Sequence, residues 1–210
     1  MKKIFFIPFL ILVSIITLTS IQSCSTISNL AKNLQNLQFK LDNVNNFKLN
    51  GIDVSKISQP SQLSIIDMLS LTNMITKKQL PVDFTLNVSA KNPNGTSGNS
   101  SSNSNAITLT KMNWTLLIDD RTTINGVVNQ PINVPGAGQS TIIPVGIQLD
   151  LMKFFNDKGV DDLVNLALAL GGAQGSTTRL KLSVRPTVQT PVGSYQYPSD
   201  IMVMSSGYTN

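Results

Sequence analysis

Residues 81–94 read Pro-Val-Asp-Phe-Thr-Leu-Asn-Val-Ser-Ala-Lys-Asn-Pro-Asn. Val82, Phe84, Leu86, Val88 and Ala90 alternate with Asp83, Thr85, Asn87, Ser89 and Lys91. A period of two places every apolar side chain on one face of a strand and every polar one on the other. One face in a core and one in water is the antiparallel pattern, because strands of a parallel sheet are covered on both faces. Pro93 forbids helix at Asn92 and removes a ladder donor, so the strand ends there. Asn92 and Asn94 can each bond their own backbone two residues on, which fixes the exit of the following loop.

The same alternation recurs on both sides. Leu37, Phe39 and Leu41 show it, as do Ile143, Val145, Ile147 and Leu149, and then Leu180, Leu182, Val184 and Val188. Ile107 and Leu109 share one parity, but Met112, Trp114, Leu116 and Ile118 share the other. An inserted residue swaps the inward parity, so a β-bulge is expected near Lys111, and a similar slip falls between Leu41 and Phe47. Ile201 and Val203 suggest a last strand after Pro198. The sum is seven or eight strands separated by Gly, Pro, Asn and Ser turns, which suggests a mainly β chain folded as a β-sandwich.

Two stretches break the alternation and read as helical insertions. Leu63, Ile66 and Leu69, with Ile65, Met68 and Leu71, recur at spacings of three and four. They predict a helix over 62–76, with Ser61 as N-cap. The second stretch runs from Asp150, a candidate cap, to Gly171-Gly172, a candidate stop. Leu163, Leu166, Ala167 and Leu170 make its apolar face, and Gly159 is expected to split it, since an interior Gly costs about 1 kcal/mol against Ala. Residues 94–105, Asn-Gly-Thr-Ser-Gly-Asn-Ser-Ser-Ser-Asn-Ser-Asn, have nothing to bury and read as a hairpin tip.

The N-terminus carries a different signal. Lys2 and Lys3 precede an apolar run, Ile4 to Ile16, interrupted only by Pro8 and Ser14. That run is shorter than the roughly 20 residues a membrane-spanning helix needs. It leads to Ile21-Gln22-Ser23-Cys24, which holds the chain's one cysteine. The order of aliphatic, variable and small residue before Cys resembles the lipobox of bacterial lipoproteins. The resemblance implies removal of residues 1–23 and lipidation of Cys24. The alternative is an ordinary secretory signal with an incidental buried Cys. Residues 24–33 then read as a tether, and 34–210 as the folded domain.

Composition narrows the chemistry. The 210 residues contain no His and no Glu, and all 11 acidic residues are Asp. Ser-His-Asp and Cys-His machinery is thereby excluded, as are imidazole metal ligands and paired-Glu hydrolysis. The formal charge of +5 includes Lys2 and Lys3, so loss of the leader leaves 14 basic against 11 acidic residues. The remaining Lys are scattered apart from Lys77-Lys78, and only Arg121, Arg179 and Arg185 occur, a pattern unlike a nucleic-acid binder. Asp119 and Asp120, if adjacent on a strand, point to opposite faces; in a turn, one would cap the backbone. Asp157, Asp161 and Asp162 surround Gly159 without any EF-hand spacing and read as solvated helix-end acids. The glycines form no phosphate or dinucleotide loop. No enzyme, cofactor or metal site is expected.

Three features arrive in order: Asn92-Pro93-Asn94 at a strand end; Trp114 followed by Thr-Leu-Leu-Ile and Asp119-Asp120; then Gly126, Val134-Pro135, Gly138 and the run Thr141 to Val145. Together these resemble the water-stress-and-hypersensitive-response (WHy) domain. That domain is the core of the type 2 late-embryogenesis-abundant (LEA) proteins and also occurs in bacterial lipoproteins. The resemblance covers residues 37–205, with its specific signals in 82–149. Asp120 stands where the family carries Gly. The resemblance implies an antiparallel Greek-key sandwich of immunoglobulin-like or fibronectin type III-like shape, with helices packed at an end or edge. It implies no chemistry, and a link to desiccation and other stress. Trp114 is expected as a core anchor whose indole N–H needs a partner.

The expected function is thus a lipid-anchored, non-catalytic protein of the bacterial cell envelope, on the outer membrane, in a stress-protective or interaction role. Its expected partner is the membrane, through lipid on Cys24. The alternatives are a module binding a peptide, lipid or glycan beside the helices, and an accessory subunit of an envelope complex. A fully packed helix over 62–76 would favour protection. Exposed Leu, Ile and Met there would mark a partner surface.

Overall fold

A computed structural model describes residues 36–94, 106–173, 175–190 and 193–209. The leader, the tether and Cys24 lie outside the described residues, as do 95–105 of the polar loop. The described chain is a sandwich of two antiparallel sheets. The elements run β1 (Gln38–Leu49), β2 (Ile52–Asp53), α1 (Ile65–Thr76), β3 (Pro81–Lys91), β4 (Ile107–Ile118), β5 (Arg121–Val128), β6 (Ile132–Val134), β7 (Ser140–Asp150), α2 (Leu151–Phe154), α3 (Val160–Gly171), β8 (Leu180–Thr190), β9 (Gly193–Gln196) and β10 (Ile201–Val203). The short strands β2, β6 and β9 carry the count beyond the seven or eight expected.

One sheet has the order β2-β1-β3-β7 and the other β10-β8-β4-β5, with β6 beside β4 and β9 beside β8. The neighbours β4 and β8 are separated in the chain by β7, which belongs to the opposite sheet. This is the Greek-key connection of immunoglobulin-like sandwiches. One expectation fails here: the polar loop is not a hairpin tip. The strands on either side of it, β3 and β4, belong to different sheets and do not pair with each other; residues 95–105 themselves lie outside the described residues. Alternation fixes which face a residue takes, but not which strand lies beside it.

The alternating residues of all five long strands, β1, β3, β4, β7 and β8, point inward. Val82, Phe84, Leu86, Val88 and Ala90 are buried, as are Leu109, Met112, Trp114, Leu116 and Ile118. Both slips appear as breaks in register. One lies between Leu109 and Lys111 against β8; the others lie within 41–48 against β3. β3 and β7 pair without interruption from Pro81↔Asp150 to Lys91↔Ser140. β7 is the outer strand of its sheet, with Pro144 exposed at its middle. The Thr141 hydroxyl donates to the Asn133 carbonyl beyond that edge at 2.9 Å. The opposite edge is closed by β2 and the C-terminal segment. There the Leu41 amide donates to Met204 O at 3.0 Å and the Thr209 amide to Phe39 O at 3.0 Å.

The helices obey local capping. Asp150 caps α2 as expected, its Oδ1 accepting from the amides of Met152 at 3.0 Å and Leu80 at 2.8 Å. Gly159 separates α2 from α3, and Gly172 ends α3. Leu163, Leu166, Ala167 and Leu170 are buried. At its last turn α3 meets Phe47, which stacks on Phe84 at 5.1 Å between centroids. α1 begins later than expected. Its N-cap is Ser64, not Ser61, closed by a capping box with Asp67, while Pro60–Gln62 form a separate 3-10 turn.

Candidate functional site

Asn92 is fully buried and works as a clasp. Its Oδ1 accepts from the Asn94 amide at 3.1 Å, the two-residue turn expected from the sequence. Its Nδ2 donates to Val134 O at 3.3 Å. Its backbone grips the turn before β7, through Asn92 N to Gln139 O at 3.1 Å and Gly138 N to Asn92 O at 2.8 Å. Asn94 O accepts from Ala137 N at 2.7 Å, and the intervening Pro93 is exposed. The motif therefore joins the end of β3 to β6 and to the turn entering β7, a structural role.

Trp114 is buried on β4, directly across from Gly126 of β5. A Cβ at Gly126 would lie 2.8 Å from Trp114 Cε2, so the indole occupies the space a side chain would fill. Among the described residues, the buried side-chain polar atom without a partner is Tyr197 Oη, not the indole nitrogen. Burial pushes the Tyr197 hydroxyl above its ordinary pKa.

Asp119 and Asp120 are neither opposed on a strand nor backbone caps. They are the two central residues of the β4–β5 hairpin, at φ 49° and 63°, the signature of a type I′ turn. Asp tolerates this left-handed region better than most residues, which accounts for Asp120 where Gly is common. Their carboxylates pair outward. Arg179 Nε donates to Asp119 Oδ1 at 2.7 Å, with a second bond from Nη2 to Oδ2, and Lys181 Nζ pairs with Asp120. Arg121 forks onto Asp157 at 2.8 and 3.0 Å and lies over the Phe155 ring. The hydrogen bonds from Arg121 hold the Asp157 carboxyl at about 2. Arg185 Nε reaches Asp200 Oδ1 at 2.6 Å. Every arginine is therefore bound to an aspartate rather than offered to an anion. Asp161 and Asp162 stand exposed in the first turn of α3. Among the described residues no three acidic side chains converge as metal ligands.

The outer face of the β10-β8-β4-β5 sheet carries an open, polar groove of about 410 Å³, lined by Asn113, Asn125, Ser183 and the Arg185–Asp200 pair. A second groove of about 300 Å³ lies beside α3 at Val44, Gly172 and Ser176. Neither gathers a nucleophile with a base.

The exceptional surface is α1. Seven of the twelve residues in IIDMLSLTNMIT are apolar, yet only Leu71 is buried. Ile65 is 89% exposed, Ile66 80%, Leu69 63% and Met68 44%. The helix α3, of equal length, buries six residues. α1 is held by Leu71 and by Asn50 Nδ2 donating to Ser70 Oγ at 3.0 Å. Its capping box turns Asp67 back onto Ser64. Along the outward side the apolar first turns give way to Thr72, Asn73 and Thr76, all exposed, and then to Lys77 and Lys78. Periodicity announced a helix here, but not which side it would leave uncovered. Among the described residues no helix is long and apolar enough to cross a membrane.

No family model matches the chain, and no curated protein does. Among solved structures, a protein from Archaeoglobus fulgidus is similar over 61% of this chain and 82% of its own, at 11% identity and a TM-score of 0.32.

Proposed function

We propose that this chain is a lipid-anchored, non-catalytic protein of the bacterial cell envelope that acts by contact, with α1 as the contacting surface. The carrying observation is the exposure of Ile65, Ile66 and Leu69 on one helix. Contiguous exposed apolar surface on a soluble domain marks an interaction site. That exposure weighs toward the interaction role over the stress-protective one. The segment Ile21-Gln22-Ser23-Cys24 supports the anchor, and the outer membrane is the location proposed with it. Asn92-Pro93-Asn94, Trp114 and Asp119, each in a structural place, support the likeness to the WHy domain of type 2 LEA proteins.

Labelling with palmitate tests the anchor: incorporation should be lost in Cys24→Ala, and an unlabelled wild-type chain would overturn it. Replacing Ile66 and Leu69 together by Ser tests the surface. Exposed positions away from structural features change stability by about 0.5 kcal/mol or less each, so melting should hold nearly constant. A fall as large as that of a core truncation would show α1 to be part of the core and not a contact surface.

A further inference from the structure

We infer that the first two turns of α1 insert into the bilayer that holds the chain, giving the domain a second attachment point; this rests on the lipid-anchored reading above.

The exposed apolar side chains are concentrated at one end of the helix, at Ile65, Ile66, Met68 and Leu69. The opposite end leads into Lys77-Lys78, both exposed and without an ion-pair partner among the described residues. The one acid of the helix, Asp67, is engaged by the Ser64 amide and hydroxyl. A helix with an apolar surface and adjacent lysines fits the boundary between acyl chains and anionic headgroups. The arginines, by contrast, are each neutralised by an aspartate elsewhere.

The reach of the chain permits this contact. α1 is fastened at Asn50, just past the end of β1, whereas the tether joins at the start of β1. The twelve residues of β1 span about 40 Å. Cys24 precedes Leu37 by thirteen residues, which extend to at most about 45 Å. The start of β1, where the tether joins, and the fastening of α1 past its end thus lie about a strand length apart, a distance that the contour length between Cys24 and Leu37 can span. A second copy of the chain is a poorer occupant. Four side chains fall well short of the roughly 20–30 residues a side that a stable interface uses.

The test uses the full lipoprotein carrying Ile66→Cys, labelled there with an environment-sensitive fluorophore. It is reconstituted in vesicles of phosphatidylethanolamine and phosphatidylglycerol. Lipid insertion should give blue-shifted emission, quenching by lipid-borne nitroxide and protection from aqueous iodide. Adding Ile65→Asp should return the probe to water, and Lys77→Glu with Lys78→Glu should reduce the blue shift. The signal should persist as the protein-to-lipid ratio is lowered. Emission like that in water, quenched by iodide, would overturn the inference. Shielding lost on dilution would also overturn it, by assigning the surface to a second copy. Shielding that appears only with other envelope proteins present would assign it to a protein partner instead. Palmitate incorporation in the same preparation is read separately, so failure of the anchor is distinguishable from failure of the insertion.

Discussion

Replacing Gly171 by Ala sets two effects of opposite sign against each other. Gly171 is the last residue of α3, and Ala is favoured over Gly in a helix interior by about 1 kcal/mol, less at an end. Propensity alone therefore predicts a small gain. The added Cβ, however, would fall onto Cβ, Cγ and Cδ2 of Phe47, far inside the roughly 3.5–4.0 Å optimum for carbon contacts. Phe47 has nowhere to go, because it is 1% exposed and stacked on Phe84 at 5.1 Å with planes 16° apart. Nor can the helix end retreat freely, since the Gly172 amide is bonded to Leu168 O at 2.8 Å and the Ala173 amide to Ile57 O at 2.9 Å. Overpacking typically costs about 1–3 kcal/mol, and disturbing the ring stack adds about 0.5–1.5. Against a gain of at most 1, the net is about 2 kcal/mol of destabilisation. For a domain the size of Leu37–Asn210 this is a fall of about 4–8 °C in Tm, read by circular dichroism and checked by urea titration. In a Phe47→Leu background the same substitution should cost at least about 1 kcal/mol less, because neighbours couple. A Tm equal to or above wild type, or a cost unchanged in the Phe47→Leu background, would refute the steric reasoning.

Other perturbations have defined outcomes. Asn92→Ala should cost about 1–3 kcal/mol in urea titrations by stranding buried groups around the clasp; an unchanged midpoint would mean that the clasp is dispensable. Tyr197→Phe removes the unpartnered buried hydroxyl and should leave stability level or raise it by about 1 kcal/mol, whereas a marked loss would reveal a bond at Oη. The Asp157 carboxyl should titrate near 2 by carbon-13 NMR, against 3.8 for the free side chain. Because its folded pKa is lowered, its contribution to stability is present above 3.8 and is lost as pH falls toward 2. Arg121→Ala should return the midpoint toward 3.8, and a midpoint that stays near 2 would exclude Arg121 as the cause.

The alternation of residues 82–90 was enough to place their side chains, because period two and one-sided burial are local properties. The bulges at Lys111 and within 41–47 were legible for the same reason, since a parity change must be absorbed somewhere. Partner choice was not legible: β3 and β4 follow one another in the chain but occupy different sheets. The start of α1 was misplaced by three residues, although Ser64 and Asp67 carry a capping-box spacing that Ser61 lacks. For the site, the Asx bond of Asn92 was readable because it spans two residues. Its grip on Val134 and Gln139 was not, because it depends on β6 and on the turn entering β7. For Asp119 and Asp120 the sequence left strand and turn open; they lie in the turn, but their carboxylates pair with Arg179 and Lys181 rather than capping the backbone, because those partners come from β8 and its approach, far away in the chain. The exposure of Ile65 and Ile66 lay beyond reach, since the sequence specifies an apolar helix face but not whether another element covers it.

Pro144 has a consequence at the scale of the population of molecules. β7 is long, fully registered on β3 and outermost in its sheet, so its far side is a template onto which an identical strand could be added. Wherever copies of the chain meet at high local concentration, such lateral zippering is a route to aggregation. A proline in the middle of that strand removes a donor from the row, and the Thr141–Asn133 bond occupies the row's beginning. The row of outward-facing donors along the edge is thereby interrupted, which works against the addition of an identical strand.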